Sequence, residues 1–369
     1  MNPFLLKGYR GPDYFCDRET ETETICMSLR NGVDVTLYAY RRLGKSALIR
    51  HVFHHLEDEF YCIFTDLWGT KSMQDFCAEL GNAVLRSQAF SERGFANRLK
   101  EFIQAIGLSV SVGPDGMPGV EMSLLSPDRS FRSLEETLRF ISSLDKPVVL
   151  AFDEFQDVRK YRDGASMEVK LRTLSQQFTN IRFIYAGSEK YLMSDIFNDY
   201  ASPFFQSTRM LSLKPVQADL YAAFILKHFE KGGIRIHPEV IRHILEMTHQ
   251  HTYYVQAICN ALYSQKQDVG SVAEFGRFFI PFLEEKRVFY EELPARLSHN
   301  QFKVLVAIAR IGVVDQPFSH HFLKVSGIIG SSSMKRTFNT LLSQQLIIED
   351  TDGYRLYDVF LEQYLRVGR

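Results

Sequence analysis

The chain predicts an α/β fold: a mostly parallel β-sheet with helices on both faces, then a helical region, then a C-terminal unit of helices closed by a hairpin. Three observations carry this. Through the first 215 residues short apolar runs alternate with segments of helical period, the pattern of strands joined by crossover helices. Two of those runs meet residues of chemical interest at their ends, Gly44-Lys45-Ser46 in one case and Asp153-Glu154 in the other. From Val216 the β-branched runs give way to continuous helical periodicity, which lasts until QQLIIEDTDGYRLYD near the C-terminus.

The first strand is short. Val35, Leu37 and Tyr38 lead into AYRRLGKSA, Ala39 to Ala47, after which Leu48, Ile49, Val52, Phe53 and Leu56 recur at helical spacing. A turn of this kind between strand and helix is how a phosphate is held. In the pattern GxxxxGK[ST], backbone N–H groups cradle the β-phosphate, the Lys reaches the β/γ-phosphates and the hydroxyl ligates Mg²⁺. The tail of that pattern is intact here, but Ala39 stands where its first glycine belongs. Positive φ costs alanine more than glycine, so a helix N-terminus that merely contains Gly-Lys-Ser remains the alternative.

Tyr61 to Thr65 reads as a second buried strand ending at Asp66, and Met73, Phe76, Cys77, Leu80 and Val84 as a helix. Around 108–125, SVSVGPDGMPGVEMSL alternates apolar and polar residues about a Pro/Gly-rich turn, which predicts an inserted β-hairpin. Phe131 to Leu144 returns to helical period. The run Val148 to Phe152 then stops at Asp153-Glu154. In phosphoryl transfer the first carboxylate of such a pair holds the Mg²⁺ shell and the second activates the attacking water; the alternative is a buried strand with an acidic loop. Leu171 to Phe178 predicts a helix and Ile181 to Ala186 a strand closed by Gly187-Ser188. That dipeptide reads equally as a simple turn or as a polar side chain set beside the carboxylates to sense a γ-phosphate. Met210 to Leu213, closed by Lys214-Pro215, supplies a fifth strand.

Three helices follow, marked by Leu220, Phe224 and Ile225, by Val240, Ile241, Ile244 and Leu245, and by Tyr254, Val255, Ile258 and Leu262. They are expected to form a lid over 216–296. A last unit starts near Leu297 with a helix through Phe302, Leu305, Val306 and Ile308. Ser331, Ser332 and Ser333 are expected to cap a helix carrying Met334, Phe338, Leu341 and Leu342, ahead of two strands around an Asp-Gly turn. Helices followed by a hairpin make a winged helix. Lys335, Arg336 and Asn339 would lie on the outer face of its recognition helix, as DNA contact needs, whereas the wing carries Glu349, Asp350 and Asp352. Leu297 to Arg369 holds eight Lys/Arg against six Asp/Glu, so support for DNA as a partner is weak. A winged helix also serves as an intramolecular or protein-docking domain.

Composition sets the outer bounds. The 369 residues carry a net charge of -1, so no global basic field marks nucleic acid. With 30 Phe and 17 Tyr against one Trp, extensive packing is expected and disorder is not. No apolar run reaches membrane-spanning length and the N-terminus lacks a signal-peptide core, which predicts a cytoplasmic protein with no membrane partner. Cys16, Cys26, Cys62, Cys77 and Cys259 lack CxxC spacing and are expected as free thiols, with Cys62 and Cys259 in the core. The histidine clusters His54-His55, His249/His251 and His320-His321 match no metal spacing and read as surface or helix-face residues.

Seven segments in order, NPFLLKGYRGPDYFCDRETE, RRLGKSALI, VVLAFDEFQ, FIYAGSEKYLM, SPFFQSTRMLSLKPV, HQHTYYVQAICNAL and DGYRLYDVFLEQYL, resemble archaeal-type P-loop ATPases of the AAA+/STAND group, in the branch common in Bacteroidetes. The resemblance spans nearly the whole chain. It implies a P-loop ATPase core over 1–215 with the phosphate-loop strand at its centre, a helical lid over 216–296 and a winged helix over 297–369. It implies that Ala39, Tyr40, Arg41, Arg42, Leu43, Gly44, Lys45, Ser46 and Ala47 form the phosphate loop, with Lys45 and Ser46 on the phosphates and Mg²⁺. Asp153 would hold the metal shell, Glu154 would be the catalytic base and Ser188 the sensor. Gly8 to Arg18 would wrap the adenine, with Tyr14 and Phe15 stacking, and His251 falls at a lid motif that touches the nucleotide. The chain departs from its relatives at Ala39 and at HQHTYY, where they often read GGHPYY. Arg209 is the candidate for an arginine that stabilises transferred charge; a surface cation flanking a strand is the alternative.

The expected function is an ATP-dependent molecular switch, with Mg-ATP bound between sheet and lid and slow hydrolysis directed by Glu154. A nucleotide-gated DNA-binding regulator and a pseudo-ATPase scaffold are the alternatives. ATP, a second copy of the chain and an unidentified protein are the expected partners.

Overall fold

Five parallel strands make the sheet that the sequence predicts, in the order β2-β5-β6-β1-β7. The computed structural model describes residues 1–87, 108–112, 118–122, 127–350 and 352–367, and their contacts divide the chain into two compact units. One is Leu5–Val216; the other joins Met1–Phe4 to Gln217–Arg369.

In the first unit the elements run α1 (Glu19–Arg30), β1 (Val35–Tyr38), α2 (Lys45–Leu56), β2 (Tyr61–Asp66), α3 (Met73–Leu85), β3 (Leu108–Val112), β4 (Pro118–Met122), α4 (Pro127–Ser142), β5 (Val148–Asp153), a 3-10 turn (Phe155–Lys160), α5 (Gly164–Gln177), β6 (Ile181–Gly187), α6 (Lys190–Phe197) and β7 (Arg209–Ser212). Both faces of the sheet are covered, and the strand period distributes side chains between them. Leu150, Phe152, Phe183 and Tyr185 enter one core with Phe76, Leu134 and Leu171. Val149, Ala151, Ile184 and Ala186 enter the other with Leu37, Leu48, Ile49 and Val52. That is why β5 reads as an unbroken apolar run. β3 and β4 pair antiparallel, as the alternation predicts, while the turn expected between them lies outside the described residues.

Two expectations change. The resemblance implies that the loop-bearing strand is central, but β1 lies between β6 and β7 and the middle of the sheet is β6. α1 has no counterpart in the sequence reading, because ETETETICMSLR opens on polar turns and commits only Ile25, Cys26 and Leu29 to the core. What matters for function is the register. Tyr38 pairs with Gly187 and Asp66 with Asp153, so the C-terminal ends of four strands emerge along one edge, where open α/β sheets hold their ligands.

The second unit contains α7 (Ala218–Lys231), α8 (Pro238–Met247), α9 (Thr252–Gln265), α10 (Val272–Glu284), α11 (Arg287–Glu291), α12 (Leu293–Arg296), α13 (His299–Ile311), α14 (His320–Ser326), α15 (Ser331–Ser343), β8 (Ile347–Asp350), β9 (Gly353–Leu356) and α16 (Val359–Arg366). Phe4 packs edge-on or tilted against Phe224, Phe229 and Tyr263 at 5.2–6.3 Å, and Asn260 donates to its carbonyl. Phe360 of α16 lies against Tyr254 at 4.8 Å and Phe282 at 5.3 Å, so α9, α10 and α16 share a core. α13 opens with a capping box between Ser298 and Gln301. Ser331, Ser332 and Ser333 do not cap α15: the N-cap is Gly330, at φ 85, and the serines form the first turn.

A single antiparallel bridge joins Val314 to Tyr354 on the wing. Gly353 makes this contact feasible. Its φ is 132, and a Cβ there would stand 2.6 Å from the carbonyl oxygen of Val314. Gly353→Ala is therefore expected to destabilise this unit by about 1–3 kcal/mol, read as a lower melting temperature; an unchanged melt would refute this role. Among the described residues no helix is long and apolar enough to cross a membrane. All five cysteines are free thiols, though Cys62 is only half-buried where the core was expected.

Candidate functional site

The segment 39–47 leaves the C-terminal end of β1 and enters α2. Ala39 continues the strand ladder, its N–H donating to Gly187 O at 3.2 Å, and its methyl packs in the core with Leu37 and Leu43. Positive φ falls instead on Arg42, at 62, and on Gly44, at 97. The missing first glycine thus demands nothing of Ala39, and the strain sits at Arg42. Gly44 is the N-cap of α2 and brings no side chain to its first N–H groups, which a helix start can offer to an anion.

Lys45 is 5% exposed, and its Nζ donates to Ala39 O at 3.0 Å and Tyr40 O at 3.4 Å. Burial pushes its pKa down, an effect that Arg41 reinforces and the charges of Glu154 and Asp153 oppose. Beside it Ser46 donates from Oγ to Asp153 Oδ2 at 2.5 Å. Asp153 is itself buried, which raises its pKa; the Ser46 bond and Lys45 pull it back, while Glu154 and Asp66 push it further up. Both charged groups are buried, and each is only partly compensated by the other. A bound polyanion with a cation would supply both signs.

Glu154 occupies the left-handed region at φ 54, rare for a residue with a side chain and characteristic of strained functional positions. Its Oε2 accepts from Ser188 Oγ and from Gln156 Nε2, both at 2.5 Å. Gln156 Oε1 accepts from the Ser188 N–H at 3.3 Å, and Arg41 Nε donates to Ser188 Oγ at 3.4 Å. Hydrogen bonds therefore join residues 41, 154, 156 and 188, and also 46 to 153. Gln156 is a site residue that the sequence reading missed. The available signal was a polar side chain two positions after Asp153-Glu154, in a turn otherwise closed by Phe155 and Val158.

Other expected residues lie elsewhere. Arg209 pairs with Val35 at the start of β1, the end of the strand opposite the 39–47 loop, and its Nη1 reaches Ser28 Oγ at 3.5 Å. It does not join the site, because strand register puts it at the wrong edge of the sheet. Phe15 stacks on His51 of α2 with 4.3 Å between ring centroids, and Tyr14 ends a short 3-10 turn just before it. His51 also meets the Tyr9 hydroxyl at 2.7 Å. His251 belongs to the second unit, buried rather than on a surface, with Tyr254 and Tyr357 against its ring. Just before it His249 and Gln250 take φ 50 and 53, left-handed angles that glycine adopts more readily than they do.

Residues 288–367 match a family model described as "probable winged helix domain". No curated protein matches the chain. Among solved structures, a Walker-type ATPase of Pyrococcus abyssi is similar over 99% of both chains, with a TM-score of 0.68 at 22% identity. The fold is that of a P-loop ATPase with a C-terminal winged helix. The ORC2 protein of Aeropyrum pernix, solved as ADPNP and ADP complexes, is similar at TM-score 0.61 and 13% identity over 99% of this chain and 96% of that one. The ORC1 protein of the same organism, in complex with DNA, is similar at 0.53 and 13% over 97% and 94%. In the winged helix of the present chain Lys335, Arg336 and Asn339 are exposed on α15, while Asp350 is engaged by Arg355 at 2.8 Å.

Proposed function

We propose that the chain binds Mg-ATP at the 39–47 loop, hydrolyses it slowly and so acts as a nucleotide-dependent molecular switch of the AAA+/STAND group. The observation that carries this reading is the junction of Ser46 with Asp153 at 2.5 Å, with the Glu154 carboxylate beside it on the same strand end. Lys45 and the first N–H groups of α2 bind the β- and γ-phosphates. Ser46 and Asp153 hold Mg²⁺, a hard cation suited to hydroxyl and carboxylate oxygens; when bound it neutralises charge on the phosphates. Among the described residues no three His, Cys, Asp or Glu side chains converge on a metal site, which fits a cation held largely by phosphate and water. Glu154 orients and deprotonates the attacking water. Ser188 and Arg41 meet the γ-phosphate side, and Phe15 with Tyr14 flanks the adenine.

A neighbour of the same fold was solved with ADPNP and ADP, which supports nucleotide as the ligand class. Five free thiols support a reducing cytoplasmic setting. The test is calorimetric titration with ATP alongside phosphate release, with Mg²⁺ and with excess EDTA. Binding is expected in Mg²⁺, and turnover is expected to stop in EDTA. Absence of ATP binding in Mg²⁺ would overturn the reading.

A further inference from the structure

We infer that Gln156 is a positioning residue that sets the orientation of the Glu154 carboxylate by bridging it to the backbone of Ser188. The inference rests on the reading of Glu154 as the base. Glu154 Oε2 can only accept and the Ser188 N–H can only donate, so a side chain spanning them must donate at one end and accept at the other. The Gln156 amide does both, at 2.5 Å and 3.3 Å, and the two partners together dictate which end is nitrogen. It is 1% exposed, so both ends of its amide need the partners they have.

Two further features mark a built arrangement. Both bonds to the carboxylate fall on Oε2, which fixes its plane and leaves Oε1 as the oxygen that takes a proton from water. The backbone next to Ser188 is shaped to admit the amide: a Cβ on Gly187 would lie 2.5 Å from Gln156 Oε1 and would also press on Met193. Gly187 thus serves as more than the turn residue that its sequence suggests.

The test compares wild type, Gln156→Met, Gln156→Glu and Glu154→Gln, using Mg-ATP turnover against pH and ATP titration. Gln156→Met keeps the length of the side chain but neither bond, so kcat is expected to fall at least tenfold while KM stays within about twofold. Gln156→Glu puts a like charge against Glu154, and the acid limb of the kcat profile is expected to move to higher pH, a change that a packing role would not produce. If Glu154→Gln loses turnover while both Gln156 variants keep the wild-type kcat and pH profile, the positioning role is overturned alone. If Glu154→Gln retains turnover, the reading of the base falls, and this inference with it.

Discussion

Glu154→Gln is expected to bind ATP as the wild type does and to hydrolyse it at least 100-fold more slowly. The substitution preserves shape and one acceptor oxygen, so Ser188 and Gln156 keep a partner and the strained turn at 154 keeps its packing. What disappears is the capacity to take a proton from water, and general-base catalysis contributes roughly 10²–10⁴ in rate. Lys45, Ser46 and Asp153 are untouched, so nucleotide affinity should hold. Phosphate release measured beside ATP titration separates the two effects. Equal turnover by variant and wild type would remove Glu154 from the role of base.

Lys45→Ala is expected to lose both affinity and turnover. A charge-assisted hydrogen bond contributes about 1.5–3 kcal/mol, and its loss at the proposed phosphate contact should weaken ATP binding on the order of 100-fold. A second signature comes from titration. Burial holds the folded-state pKa of Lys45 below its ordinary 10.5. Between that lowered value and 10.5 the unfolded chain keeps a proton that the folded chain has released, so the contribution of Lys45 to stability rises with pH through this window. Lys45→Ala should lack that rise. Bound ATP should also suppress it in the wild type, because phosphate charge favours the ammonium. Unfolding free energies compared across alkaline pH, with and without Mg-ATP, test this; identical slopes in variant and wild type would contradict it.

The strands were legible because a sheet covered on both faces turns each buried strand into an apolar run, and Val148 to Asp153 is the plainest case. The residues at the strand tips were legible for a related reason. Gly44-Lys45-Ser46 and Asp153-Glu154 interrupt apolar sequence abruptly; an acidic loop after a buried strand is common by itself, but the two interruptions in this order, with a helix and a strand between them, are not. Some of the helices missed have a small or local apolar share: α1 commits three side chains to the core, and α14 is seven residues long. Others do not, since α10 buries Phe275, Phe279, Phe282 and Leu283, and α16 buries Val359, Phe360, Leu361, Tyr364 and Leu365.

Three readings needed coordinates. Ala39 looked like damage to the loop, yet dihedral angles put the left-handed turn at Arg42 and Gly44. Arg209 looked well placed by its nearness to the fifth strand, yet its pairing with Val35 sets it at the opposite end of β1 from the loop. Gln156 attracted no notice, because nothing in a linear string says that its amide will reach a serine 32 residues further on.

The sequence by itself determined the α/β core, the winged helix and the identity of the residues at the strand ends, since burial, period and turn chemistry are local properties written into neighbouring positions. Which of those residues meet was decided only by tertiary structure. Register and strand order bring Lys45 and Ser46 to Asp153, and Glu154 to Ser188 through Gln156, across separations that local chemistry does not encode. A shift of one residue in any of those pairings would turn the same side chains to the other face of the sheet.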